Sequence, residues 1–283
     1  LTKPGEAADY TFTVASDANI FTLTRSSKAL TAGKMYKFPS LVTTGGDNWA
    51  KQQASALYVD LGITVGGKTI YWAKYNLGAT SETDYGDYFT WGDVAGYGGA
   101  VSSGTTAADN ISFSWANYKY CNGANNKLTK YCSYSTFGND GFTDALTTLE
   151  SSDDAARTHL GGSWRMPTAV ELAELWRTNP DYDPDDDEIS TTKTKIGGYT
   201  WTWCDGSTEK YKNTTAVGYK ITRNSTGATI FLPAAGYRGS TDVEDQGLHG
   251  DYWSSTLGTD PDNTWYLYFF PGVAGMSYYG LRF

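Results

Sequence analysis

Residues able to do chemistry are few in this chain, and most of them are carboxylates. The densest set is Asp181, Asp183, Asp185, Asp186, Asp187 and Glu188, interrupted only by Tyr182 and Pro184. Hard oxygen ligands of this kind suit Ca²⁺, which takes about six to eight of them. The EF-hand spacing is absent, because no glycine stands at the sixth position, and a solvated acidic loop is the alternative reading of such a run. Two histidines, His159 and His249, leave little material for a histidine-based zinc site. A Ser/His/Asp triad could draw on His249, but no Gly-x-Ser-x-Gly elbow accompanies it. The expectation is a protein without catalysis, and without a cofactor unless the acidic run holds calcium.

Sulfur chemistry is equally sparse, with three cysteines in 283 residues. Cys121 and Cys132 bracket a polar loop, and a bridge between them would add ~3 kcal/mol in an oxidising compartment. Cys204 has no evident mate and reads as a small buried thiol.

The elements that must position these groups are mainly strands. Tyr10, Phe12 and Val14 alternate with threonines, the period of two expected when one sheet face is buried. Residues 20–23 and 34–38 read as further short strands, and the turn formers Thr43 to Asn48 mark a boundary. The expected organisation is a β-strand segment at residues 1–48 and a larger domain at 49–283. In the second domain Gly66-Gly67 separates two alternating runs, a hairpin signal, since both turn positions call for positive φ. A long irregular section comes next, from about Gly78 to Asp144. Two helices are then legible. Ser152 to Leu160 begins with capping and acidic residues and is stopped by Gly161-Gly162. Thr168-Ala169-Val170-Glu171 fits a capping box, with Val170, Leu172, Leu175 and Trp176 as its stripe up to Asn179-Pro180. From Tyr199 to Phe283 the reading is strand again. Two helices among mostly antiparallel strands give an α+β fold.

Composition limits the partners. Ten Trp and 22 Tyr supply a core that is aromatic and β-rich. A net charge of −9 makes nucleic acid a poor partner, because phosphate binding relies on clustered Lys and Arg. No run of about 18 apolar residues is present, so no transmembrane segment is expected. The chain starts at Leu1 without a signal peptide, and any export signal is expected to have been removed or left out.

Six segments in order carry a family resemblance: Tyr58 to Gly62, Trp72 to Thr80, Tyr85 to Asp93, Trp164 to Thr168, Ile230 to Arg238, and Tyr252 to Ser255. Over some 220 residues the pattern resembles the FISUMP-type domains found on surface proteins of gut anaerobes. The resemblance implies a C-type-lectin-like fold, in which the N- and C-terminal strands come together and long loops form one exposed face. It also implies a set of exposed ligand-binding candidates: Tyr237, Arg238, His249, Asp251, Tyr252 and Tyr278. Trp253, alternating with Tyr252, is expected to point inward. Residues 30–38 resemble a strand near the end of a fimbrillin-like sandwich.

The resemblance further implies a secreted, non-enzymatic adhesin at the cell surface or on a fimbrium, outer-membrane associated, with the lectin-like module at a pilus tip. Its partners would be host or microbial glycans or surface proteins, together with other fimbrial subunits. The alternative is a structural or capping subunit without a ligand of its own. Trp164 to Thr168 also resembles a motif of the formylglycine-generating family, whose oxidation chemistry depends on a cysteine pair near the domain's C-terminal end. No cysteine follows Cys204, so that activity does not carry over, and Trp164 and Arg165 are expected to support the second helix. The calcium-dependent lectins' Glu-Pro-Asn or Gln-Pro-Asp motif is absent. Gly280-Leu281-Arg282-Phe283 departs from the family's Gly-hydroxyl-Val-Arg ending, which leaves the pairing of the last strand open.

Overall fold

A computed structural model of the chain describes residues 8–16, 19–28, 58–98, 111–175, 189–190 and 198–283. The expected strand at 34–38, the boundary at Thr43 to Asn48, the acidic run from Asp181 to Glu188, and the helix end from Trp176 to Pro180 lie outside the described residues. The chain divides into two units, Leu1–Lys51 and Gln52–Phe283. In the first, β1 (Ala8–Ser16) pairs antiparallel with β2 (Asn19–Lys28), placing Phe12 opposite Leu23 and Val14 opposite Phe21.

The second unit is α+β, built from short antiparallel sheets and two helices. It opens with the hairpin of β3 (Tyr58–Val65) and β4 (Lys68–Ala73), joined by Gly66 and Gly67 at φ 57° and 76°. Positive φ at both turn residues matches the right-handed strand twist, and glycine adopts it at no steric cost. Helix α1 (Ala155–Leu160) is capped by Asp154, whose carboxylate accepts from the Arg157 amide, and ends at Gly161 with φ 67°. Helix α2 (Ala169–Ala173) carries the expected capping box between Thr168 and Glu171.

Two details of α2 differ from expectation. Its described helical part is five residues long, because Glu174 and Leu175 already turn. Val170 is 55% exposed, so of the expected stripe Leu172 and Leu175 are buried among the described residues, joined by Ala173. Arg165 does support this helix: its guanidinium pairs with both carboxylate oxygens of buried Glu171, 2.6 Å for Nη1 to Oε2.

After β5 (Ile189–Ser190), a three-stranded sheet runs β6 (Tyr199–Asp205), β7 (Val217–Arg223), β8 (Thr229–Pro233). The short pair β9 (Tyr237–Gly239) and β10 (Asp242–Glu244) comes next. The chain closes with β11 (Gly250–Leu257), β12 (Asn263–Phe270) and β13 (Val273–Leu281), in the sheet order β11-β12-β13-β5. The ending at Gly280 stays in the ladder after a register shift between Thr264 and Tyr266, with Gly280 opposite Thr264 and Leu281 opposite Asn263. Among the described residues β13 pairs with β12 and β5, and β3 pairs with β4. The first and last strands of the unit therefore share a core rather than a ladder: Leu61 and Ile63 of β3 are buried in one cluster with Ala274 and Met276 of β13. The same cluster takes Tyr199, Trp201, Tyr219 and Phe269, so aromatic rings do supply much of the core.

The irregular section is ordered by side chains acting where a ladder would otherwise act. Buried amides must find acceptors, and here carboxylates provide them. Asp144 accepts from the Tyr131 and Cys132 amides at 2.8 and 2.9 Å, and Asp154 accepts from Met166 as well as Arg157. Small aromatic clusters pin the same segment, one around Trp91 and Tyr131 and one around Tyr118, Leu128 and Cys132. The bridge considered between Cys121 and Cys132 is not formed. Both thiols are free and donate to the carbonyls of Trp115 and Tyr134 instead. Cys204 is buried against Tyr211 and Phe231, and burial pushes its thiol up.

Asp153, 4% exposed, accepts from Lys130 Nζ and from the Tyr131 hydroxyl, each at 2.6 Å. Burial alone would raise its pKa, but these hydrogen bonds and the Lys130 charge outweigh it and hold the carboxyl at about 2. A pKa below the unfolded value means stability present above pH ~4 and lost as pH falls toward ~2. Asp153→Asn should cost about 2–4 kcal/mol at pH 7 in denaturant unfolding, and should flatten the acid limb of the wild-type stability curve between about pH 4 and 2.

Candidate functional site

The loop rim at the start of β11 gathers a polar pair inside aromatic walls. After β10 the chain makes a tight turn in which the amides of Leu248 and His249 both donate to Asp245 O at 2.9 Å, with Asp245 itself at φ 54°. The Gly236 amide donates to the His249 carbonyl at 2.7 Å, and Gly236 bridges Gly250 in parallel. At φ 68°, with the Glu244 carbonyl only 2.0 Å from where a Cβ would sit, position 236 admits only glycine. This crossing brings β9 against β11 and sets Tyr237 beside His249, ring centroids 6.3 Å apart and perpendicular.

Two residues on, Asp251 lies opposite Tyr268 of β12, and its Oδ2 is 3.5 Å from His249 Nδ1. The imidazole is also flanked by Tyr268 at 6.5 Å and Phe270 at 5.9 Å. Both side chains of the pair are recessed, with 23% and 21% of their surface accessible. His249 Nδ1 and Asp251 Oδ1 are buried without a hydrogen-bond partner. Native proteins leave few such atoms, so a pair of them in one spot calls for an explanation such as a water or ligand group. No hydroxyl or thiol among the described residues hydrogen-bonds to the His249 ring.

Burial sets the charge states. Removal from water raises Asp251 to about 7, with Asp245 adding to the rise, while burial lowers His249 against a smaller opposing pull from Asp245. Both shifts favour the neutral form of each group in this recess.

The structure distributes the six expected site residues unevenly. It brings together Tyr237, His249 and Asp251. Tyr237 is 37% exposed and donates its hydroxyl to Glu244 at 2.9 Å. Arg238, expected at the surface, is only 9% exposed: its guanidinium lies over the Tyr97 and Phe113 rings at 5.4 and 5.0 Å and donates to Ile111 O. Tyr252 is also turned in. Its hydroxyl donates to Pro233 O at 2.7 Å and accepts from Asn76, and its ring stacks on Phe269. Trp253 packs too, on the opposite face of the strand, against the Trp91 cluster with its indole N–H on Phe89 O. Tyr278 lies toward the other end of the β12–β13 ladder, its ring on Trp265 and its hydroxyl 2.7 Å from that of exposed Tyr279.

Tyr268 and Phe270 escape a reading of the sequence although their strand does not. Their faces are set by the hairpin register, which pairs Tyr268 with Asp251, and register is a property of two strands rather than of either run.

A second concavity lies between the segment after β4 and the β6–β7 connection. It measures about 380 Å³ and is lined by Lys74, Tyr75, Ser81, Glu82, Thr83, Tyr211, Lys212 and Thr214. Among the described residues no group of three or more His, Cys, Asp or Glu could hold a metal ion. No helix of the described residues is long and apolar enough to cross a membrane. No family model, no curated protein and no solved structure matches this chain.

The raised pKa of Asp251 makes its ionised form costly to fold around. Because its folded pKa lies above the unfolded value, that cost is present at high pH and vanishes as pH falls from ~7 to ~4. Asp251→Asn should therefore be more stable than wild type at pH 8, by about 1–3 kcal/mol, with the difference closing toward pH 4. Urea unfolding of both proteins at four pH values measures this.

Proposed function

We propose that this chain is a recognition module of the cell surface with a C-type-lectin-like fold, binding a glycan or a protein outside the cell through its loop rim without chemistry. The observation that carries the reading is the recessed His249–Asp251 pair set among Tyr237, Tyr268 and Phe270. Aromatic faces suit the C–H faces of a sugar ring or an apolar side chain, while a few fixed polar groups set orientation. Loops tied to a rigid scaffold are where such groups usually reside. The ordered FISUMP-type motifs support the fold assignment. The likeness of residues 30–38 to a fimbrillin-like strand supports a place on a fimbrium, with this module outermost and the N-terminal unit engaging neighbouring subunits.

An array of glycans and extracellular-matrix proteins, probed with wild type, Phe270→Ala and Asp251→Asn, tests this. The expected outcome is a restricted set of ligands, bound about tenfold more weakly once the Phe270 ring is removed, the size of ~1.4 kcal/mol of stacking. Silence across the array, or ligands held equally well by both variants, would contradict the reading.

A further inference from the structure

The cleft between Tyr75 and Tyr211 is organised around the Glu82 carboxylate. Tyr211 is fixed by stacking on Phe231, centroids 4.4 Å apart and 13° from parallel, and its hydroxyl donates to Glu82 Oε2 at 2.6 Å. Lys212 donates to the same oxygen and lies over the Tyr211 ring. Lys212 and Asn213 are consecutive non-glycine residues at φ 47° and 61°, a left-handed conformation that costs a lysine about 1 kcal/mol or more and that asparagine adopts more readily. From this turn the Lys212 ammonium reaches Glu82.

The balance of groups is then specific. Lys212 and Glu82 neutralise one another. Lys74 adds a second cation, which also attracts Glu82 but has no ion-pair partner within 4 Å among the described residues, so cations outnumber carboxylates in the lining of a chain of net charge −9. Both donors to Glu82 converge on Oε2, which leaves Oε1 as an acceptor. Hydroxyls of Ser81, Thr83 and Thr214 and the Tyr75 ring complete the lining. A volume of about 380 Å³ sits at the small end of ligand sites, ~300–1,000 Å³, so the occupant is one compact unit.

We infer that this cleft is a binding site for a sugar acid, a monosaccharide unit that carries a carboxylate beside its hydroxyls. Its carboxylate meets Lys74, a hydroxyl donates to Glu82 Oε1, and its ring lies against Tyr75, the Tyr211 ring being already covered by Phe231 and Lys212. A bare anion would leave Glu82 Oε1 without a donor. A neutral sugar would leave Lys74 unpaired. The site is separate from the His249 rim and goes beyond the recognition reading proposed for it.

The test is a titration followed by backbone amide NMR, using glucuronate, glucose and acetate separately against the full chain, and repeated with Lys74→Gln and Lys74→Arg. Lys74 is partly exposed, so neither change threatens folding. The expected result is saturable shifts at Thr83, Lys212 and Thr214 with glucuronate in the millimolar range, weaker at high salt, and no saturable shift with glucose or acetate. Lys74→Gln should weaken glucuronate at least fivefold, and Lys74→Arg should restore it to within about twofold. Equal binding of glucose or acetate, undiminished binding by Lys74→Gln, no saturable shift with glucuronate, or shifts confined to Tyr237 and His249 would each overturn the inference. None of these results bears on the array experiment, which reads the other site.

Discussion

A single buried cation ties the irregular half of the larger unit to its sheet. Arg282, fully buried, comes just after β13 and inserts its guanidinium between Trp91 at 5.3 Å and Tyr118 at 5.9 Å. Its two terminal nitrogens donate to the carbonyls of Lys130 and Tyr131. Its own carbonyl accepts from the Trp91 amide at 2.7 Å, and the Trp91 indole N–H reaches Ser254 O on β11. Tyr118 then donates to Trp91 O, in a setting so dry that burial pushes its phenol up to about 12. Taking a charge out of water costs several kcal/mol, recovered here only through carbonyl dipoles and π faces in good geometry. Nη1 and Nη2 are met by the loop carbonyls while Nε stays buried without a hydrogen-bond partner, so displacing the loops would leave the cation with still fewer.

That constraint gives the acidic composition a second meaning. The net charge of −9 reads as an argument about partners, yet much of it serves the backbone. Asp60, Asp84, Asp93, Asp144, Asp154 and Asp205 each accept from main-chain amides in turns and loops. Where a chain forgoes ladders over a long stretch, short carboxylates are the natural acceptors, because they reach a neighbouring amide, or like Asp144 one across a loop, without a partner strand. Loops fixed in this way lose little further freedom on binding, which favours recognition by a preformed surface.

Local signals in the sequence translated well into structure. The Gly66-Gly67 turn, the Thr168–Glu171 capping box, the Asp154 cap and the β7, β8, β11 and β12 strands each depend on residues within a turn or a single run. Facing and burial did not translate as well. Arg238 is an exposed ligand contact in what the resemblance implies, and becomes a core residue because Tyr97 and Phe113, more than a hundred positions earlier, close over it. Tyr252 and Trp253 alternate, but both sides of β11 are covered, one by the main core and one by the Trp91 cluster, so alternation could not tell inside from outside. The site was half legible for the same reason. His249, Asp251 and Tyr237 lie in or beside recognisable motifs, whereas Tyr268 and Phe270 join them through register, and the Lys74–Glu82–Lys212 cleft through a contact across some 130 residues.

The loops of the larger unit are thus locked by contacts to the sheet rather than by ladders of their own. Amide hydrogen exchange over residues 111–150, compared between wild type and Arg282→Met, measures this directly. Exchange in wild type as slow as that of β12, with loss of protection spreading through residues 118–132 in the variant while β6–β8 stay protected, is the predicted result. Fast wild-type exchange across that stretch, or a variant whose loops stay as protected as before, would contradict it.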